Sequence, residues 1–230
     1  MNSSIPFGFF ITGTDTDIGK TFMSRLLVDT LSKVAPVTYM KPVQTGCLRN
    51  TKGGLSSPDF EYLLQGRMTQ SAPYETHVPY RFEPSCSPHL AALLAGQEIS
   101  LEFIQHCFAM VSVDHTILTF VEGAGGVMTP LGPTAFMTDC IAYLGLPAIV
   151  VASPELGTLN HILLTFQALE QYSIPLAGVV MNNRGNFQED FIYRDNREYI
   201  KQAAHPAPFC EVPFGGGPCK AIEEFCRELI

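Results

Sequence analysis

The 230-residue chain lacks any apolar run approaching the roughly 20 residues that a membrane-spanning helix needs. Its first residues carry neither a basic segment nor a cleavage site for export, so the expectation is a cytoplasmic protein. It is also poor in charge, above all in positive charge: 14 Lys and Arg stand against 22 Asp and Glu, a formal net charge of −8. With no basic cluster, a nucleic-acid or anionic-membrane surface is excluded and a small-molecule partner is expected. The seven cysteines are odd in number, scattered and without a C-x-x-C pair, which argues against both a disulfide framework and a zinc site. No internal repeat or low-complexity segment interrupts the chain. Its length suits one α/β domain over residues 1–230 with a substantial core.

What the chain does have is Gly13-Thr14-Asp15-Thr16-Asp17-Ile18-Gly19-Lys20-Thr21, which fits G-x-x-x-x-G-K-[ST] at every fixed position. The apolar run Phe7 to Ile11 predicts a buried strand entering it, and Phe22 to Leu31 predicts an amphipathic helix leaving it. In that context the glycines let backbone N–H groups turn inward around an anion. The helix start adds its positive end, Lys20 reaches the outer phosphates, and the Thr21 hydroxyl is placed to hold Mg²⁺.

The rest of the chain alternates strand and helix. Pro36 to Met40 predicts a strand ending in Lys41-Pro42-Val43-Gln44-Thr45-Gly46, where open α/β sheets bind ligands, although a turn lysine can equally be solvated. Thr51 to Ser57 reads as a polar loop, and Ser57-Pro58-Asp59 starts a helix. Asp59 is there either to offset the helix dipole or to hold a metal. Tyr74 to Pro88 reads as an irregular excursion, Ser87-Pro88-His89 opens a helix with Ser87 as its cap, and Ser100 caps another running to Ser112. The run His115 to Val121 predicts a central parallel strand tipped by Glu122-Gly123-Ala124-Gly125-Gly126. Burying Glu122 needs a partner, which a Mg²⁺ shared with Thr21 would supply unless the acid leans into solvent. Further units run from a helix at Phe136 to Leu144 through a strand at Pro147 to Val151 to a helix continuing to Tyr172. The start of that last helix, at Gly157-Thr158-Leu159-Asn160, forms an anion site. A strand at Leu176 to Met181 ends in Asn182-Asn183, whose amides could read a purine edge or simply serve a turn. An amphipathic helix over Glu189 to Lys201, a strand at Ala207 to Val212 and a closing helix at Ala221 to Ile230 complete the series. All the motifs follow strands, so they are expected to converge at the carboxyl edge of a mostly parallel sheet with helices on both faces.

Taken together, Gly13 to Thr21, Lys41 to Gly46, Val121 to Gly126 and Leu156 to His161 resemble dethiobiotin synthetases from Phe9 to about Phe214. The resemblance implies a three-layer α/β/α fold of the P-loop NTPase type. It implies a homodimeric enzyme that joins 7,8-diaminononanoate and CO₂ at the expense of ATP, with Mg²⁺, giving dethiobiotin, ADP and phosphate. It assigns catalytic roles to Lys41 and Lys20 and a metal site to Thr21, Asp59 and Glu122. Asp17, Ile18, Gly19, Lys20, Thr21 and Phe22 would wrap the triphosphate, with Gly123, Ala124 and Gly125 close by. Asn182 and Asn183 would face the base, lined by Pro213, Phe214 and Gly215, with Phe214 where relatives often carry Trp. Substrate contacts fall to Lys41, Thr45 and, from the neighbouring subunit, Gly157, Thr158, Leu159 and Asn160. A partner-subunit tyrosine would be Tyr193 or Tyr199, and His89 receives no chemistry. The alternative is a nucleotide-switched partitioning ATPase of the same fold. Such proteins usually carry a second lysine early in the loop, where this chain has Thr14.

Overall fold

The computed structural model describes residues 7–51, 53–113, 116–217 and 219–230. Strand β1 (Gly8–Gly13) and helix α1 (Lys20–Leu31) flank the glycine-rich loop, followed by strands β2 (Val37–Met40), β3 (Val43–Gln44), β4 (Leu48–Arg49) and β5 (Leu55–Ser56). Helices α2 (Pro58–Leu64) and α3 (Tyr74–His77), strand β6 (Tyr80–Arg81) and helices α4 (Pro88–Leu94) and α5 (Leu101–Val111) come next. The remainder alternates regularly through β7 (Leu118–Glu122), α6 (Met137–Leu144), β8 (Ala148–Ala152) and α7 (Thr158–Gln171). It ends with β9 (Leu176–Asn182), α8 (Phe191–Ala204), β10 (Phe209–Val212) and α9 (Lys220–Leu229).

Six strands form one sheet in the order β10-β9-β8-β1-β7-β2, and every pairing in it is parallel. Its strands are near-continuous apolar runs because both faces are covered. Alternation sorts them: Phe9, Ile11, Phe120, Ile149 and Val151 join the core beneath α1, α2 and α9. Phe10, Val121, Val150 and Met181 join the core beneath α5, α6, α7 and α8. Three layers result, with the loops after β1, β2, β7, β8, β9 and β10 gathered along one edge.

The local chemistry explains the helix starts. The Ser57 hydroxyl accepts from the Phe60 amide with Pro58 at the first position of α2, and Ser100 and Asp190 cap α5 and α8 in the same way. Ser87 occupies the cap position of α4 but its side chain makes no capping bond. Differences from expectation lie in the short elements. Part of the loop from Thr51 to Ser57 pairs as β5 with β4, and the excursion from Tyr74 to Pro88 contains α3 and β6. Two- and four-residue elements carry too few residues to show a period. Strand β7 begins only at Leu118, and His115 lies outside the described residues. Helix α8 starts later and runs further than the charged segment suggested, because Asp190 rather than Glu189 provides its cap.

Candidate active site at the sheet edge

Gly19 precedes α1 with φ +96°, and a Cβ there would meet the Asn182 amide nitrogen at 2.2 Å. Only glycine allows the loop to close against β9 at this point. The loop is tethered further where Thr14 N–H donates to Val151 O at 3.0 Å. Lys20 donates from Nζ to Asp15 O at 2.7 Å. Burial, with the nearby positive charge of Lys41 adding to it, lowers the Lys20 pKa to about 8.

The centre of the site is Glu122, at the tip of β7 and 1% exposed. Its Oε1 accepts from Thr21 Oγ1 at 2.8 Å and from Lys41 Nζ at 2.8 Å. Its Oε2 accepts from Ser24 Oγ at 2.6 Å and Tyr39 Oη at 3.0 Å. Lys41 also reaches Asp59 Oδ2 at 2.7 Å and Gly123 O at 3.2 Å. Burial would by itself lower the Lys41 pKa, but Glu122 and Asp59 outweigh it and hold the ammonium firmly charged. Likewise Asp59, which burial alone would raise, is held below the usual carboxylate range by Lys41 and by the Thr21 hydroxyl. The ion pairs are therefore mutually supporting: each charge removes the desolvation problem of the other. Lys41, Asp59 and Glu122, brought together from three elements, are thus neither solvated turn residues nor simple dipole partners.

These groups line a cavity of about 360 Å³ with Thr16, Asp17, Thr45, Ser85, Ala124, Gly125 and Arg184. Gly125 has φ +69°, and a Cβ would stand 2.3 Å from Thr129 Oγ1, so the turn over the cavity also needs glycine. Ile18 and Phe22 can offer only backbone to a ligand: Ile18 is 5% exposed in the core beneath α1, and Phe22 packs against that core. Asn182 donates from Nδ2 to Ile18 O at 3.0 Å, clamping the loop. The Asn183 amide donates to Phe187 O at 2.9 Å and accepts from Phe187 N–H at 2.7 Å. The amide thus serves a turn, a common use of Asn, and the side chain also reaches Tyr193. Pro213, Phe214 and Gly215 form an exposed turn after β10, outside the lining of the main cavity.

Gly157 caps α7 in the left-handed region, at φ 98°, and Thr158 lines a second cleft with Thr14, Asp15, Thr16, Ser153, His161 and Arg184. Leu159 is half-buried and Asn160 exposed, and neither lines the main cavity. His89 lies in a separate apolar depression beside α4. Tyr193 donates to Glu211 within its own chain, whereas Tyr199 is exposed. Sequence reasoning missed Ser24, Tyr39, Ser85 and Arg184. The first two had a signal: Ser24 is three residues after Thr21 on a helix, and Tyr39 two before Lys41 at a strand end, so each shares its neighbour's face.

The all-parallel sheet, the glycine-rich loop opening α1 and the acid at the end of an adjacent strand define a P-loop nucleotide-binding α/β protein. Residues 8–215 match a family model described as an AAA domain. The fold is similar to that of the MinD cell division protein of Aquifex aeolicus, at TM-score 0.57 and 15% identity, covering 96% of this chain and 95% of that one. It is also similar to a ParA family ATPase from Chlorobium tepidum, at TM-score 0.54 and 12% identity, covering 96% and 98%. At these identities the likeness is one of fold alone. The sequence is 38% identical over 215 residues to the ATP-dependent dethiobiotin synthetase BioD of Aeromonas salmonicida, covering 93% of each chain. It is 34% identical over 211 residues to the enzyme of that name from Bacillus subtilis strain 168, covering 91% of this chain and 85% of that one. The chain belongs to the dethiobiotin synthetase family. Among the described residues no helix is long and apolar enough to cross a membrane.

Proposed function

We propose that the protein forms dethiobiotin from 7,8-diaminononanoate, CO₂ and ATP, releasing ADP and phosphate. The observation carrying this beyond nucleotide binding is the buried Lys41, fixed between Asp59 and Glu122 at the wall of the phosphate cavity. In this reading one amine of the diamine takes up CO₂ and loses a proton to give a carbamate. A carbamate oxygen attacks the γ-phosphorus, and ADP leaves. The second amine then attacks the carbonyl carbon of the mixed anhydride, closing the ureido ring and expelling phosphate. No side-chain nucleophile is needed. The chain has to bring the carbamate and the triphosphate together and to balance charge on the phosphoryl group in flight.

Lys20 and Lys41, both in the cavity lining, supply that positive charge, and the backbone from Asp17 to Phe22 with Gly123 to Gly125 encloses the phosphates. Thr45 and Lys41 meet the substrate. Asn182 has its Nδ2 on the loop and offers its carbonyl to the exocyclic amine of adenine, with Pro213, Phe214 and Gly215 beside the base. Thr21, Asp59 and Glu122 fit Mg²⁺, since three hard oxygen donors converge on one corner whose negative charge Lys41 now balances. Bound there, the ion would neutralise charge on the β- and γ-phosphate oxygens. The helix start at Gly157 to Asn160 contributes nothing to the lining of the main cavity, which supports a role toward the carboxylate of substrate held by the neighbouring subunit of a homodimer. The whole chain acts as one domain in this account, in the cytoplasm. Incubation with ATP, diaminononanoate and bicarbonate should yield dethiobiotin, and nucleotide hydrolysis without that product would refute the assignment.

A further inference from the structure

We infer that Ser24 and Tyr39 are positioning residues that aim Glu122. The four donors around its carboxylate come in two pairs, each set by the period of its own element. On α1, Thr21 and Ser24 are three residues apart and share a face; Thr21 grips Oε1 and Ser24 grips Oε2. At the end of β2, Lys41 and Tyr39 are two residues apart and share a face; Lys41 grips Oε1 and Tyr39 grips Oε2. Helix and strand thus each place one donor on the inner oxygen and one on the oxygen that faces the cavity. Ser24 and Tyr39 are both wholly buried, and neither itself lines the cavity. Their hydroxyls would lose a partner if Glu122 swung outward, so the carboxylate plane is held with one oxygen inward and only Oε1 available at the corner formed by Thr21, Lys41 and Asp59.

The consequence rests on the reading of Thr21, Asp59 and Glu122 as a cation site: Glu122 would meet the ion through a single oxygen whose direction two hydroxyls outside the cavity decide. Outer partners of this kind typically alter metal affinity 10–100-fold. The test is electron paramagnetic resonance titration of Mn²⁺ into the full chain with a non-hydrolysable ATP analogue, using Ser24→Ala and Tyr39→Phe. Each variant should weaken Mn²⁺ binding about 10-fold while affinity for the metal-free nucleotide stays close to that of the unsubstituted protein, and the lost donor to the buried carboxylate should lower the melting temperature. If Tyr39→Phe does not fold, Ser24→Ala carries the test alone. Unchanged Mn²⁺ affinity in the folded variants, with or without a lower melting temperature, would reduce both hydroxyls to structural partners and overturn the inference. Failure of the unsubstituted protein to bind Mn²⁺ with nucleotide would instead overturn the cation site itself, and the inference with it.

Discussion

At the corner where Thr21, Lys41, Asp59 and Glu122 meet, each side chain takes a charged or hydroxyl partner, and Lys41 and Glu122 are 4% and 1% exposed. At the turn proposed to stand beside the base, Pro213 to Gly215 are exposed and Phe214 is 56% exposed. The phosphate end is built from side chains projecting off a strand tip, a strand end and two helix starts. The proposed base end is built from the end of β9 and the turn after β10. Rigid elements fix reacting groups closely, whereas stacking against a base tolerates a looser frame. Substitutions at the two ends should therefore differ in kind, the first acting on turnover and stability together and the second mainly on nucleotide affinity.

Replacing Lys41 should have the largest effect. Lys41→Met is expected to lower turnover about 10²–10³-fold, by loss of a charge aimed at the phosphoryl group. Because it also leaves Asp59 and Glu122 facing each other, the variant should fold but be less stable by about 3 kcal/mol. Initial rates and urea unfolding would measure the two effects, and a variant that kept its turnover would remove the contrast between the ends. Next come the adjacent asparagines. Asn182→Ala should raise the KM for ATP about 10-fold, equivalent to about 1.4 kcal/mol. Asn183→Ala, whose amide serves the turn to Phe187, should change it less than about 2-fold while costing about 1 kcal/mol of stability. The reverse ranking would mean that the base is read from the turn rather than from the strand end.

The smallest effect is expected at His77, which lies behind the chemistry. It is fully buried, with Nδ1–H donating to Tyr39 O at 2.6 Å and Nε2 accepting from Ala72 N–H at 3.3 Å. Burial pushes its pKa below the ordinary 6.5. A depressed histidine stabilises the fold fully above pH 6.5, and that contribution is lost as pH falls through the unfolded value toward the folded one. Melting temperature should therefore drop from pH 7 to pH 5 more steeply in the unsubstituted protein than in His77→Asn, which has no ring to protonate. Parallel profiles would show that the link between α3 and β2 does not depend on the neutral ring.

The same contrast explains what could be read from residue order. The alternation of elements, the parallel sheet and the loop from Gly13 to Thr21 were legible because buried strands and amphipathic helices have periods and the loop has fixed glycines. Asp59 and Glu122 could be seen as acids in suggestive places. That they flank the same lysine could not be seen, since Lys41 meets Asp59 18 positions and Glu122 81 positions further along the chain. The two readings of Asn183 stayed open because an amide looks alike whether it meets a ligand or its own turn. Ser24 and Tyr39 passed unnoticed as an ordinary helix serine and strand tyrosine, although their spacing from Thr21 and Lys41 already placed them on the working faces.

The most direct test of the account follows ATP consumption and dethiobiotin formation together in the unsubstituted protein and in Lys41→Met, given diaminononanoate and bicarbonate. The account predicts that ADP and dethiobiotin appear in equal amounts and that both rates collapse together in the variant. ADP formed without dethiobiotin, or a variant as fast as the unsubstituted protein, would contradict it.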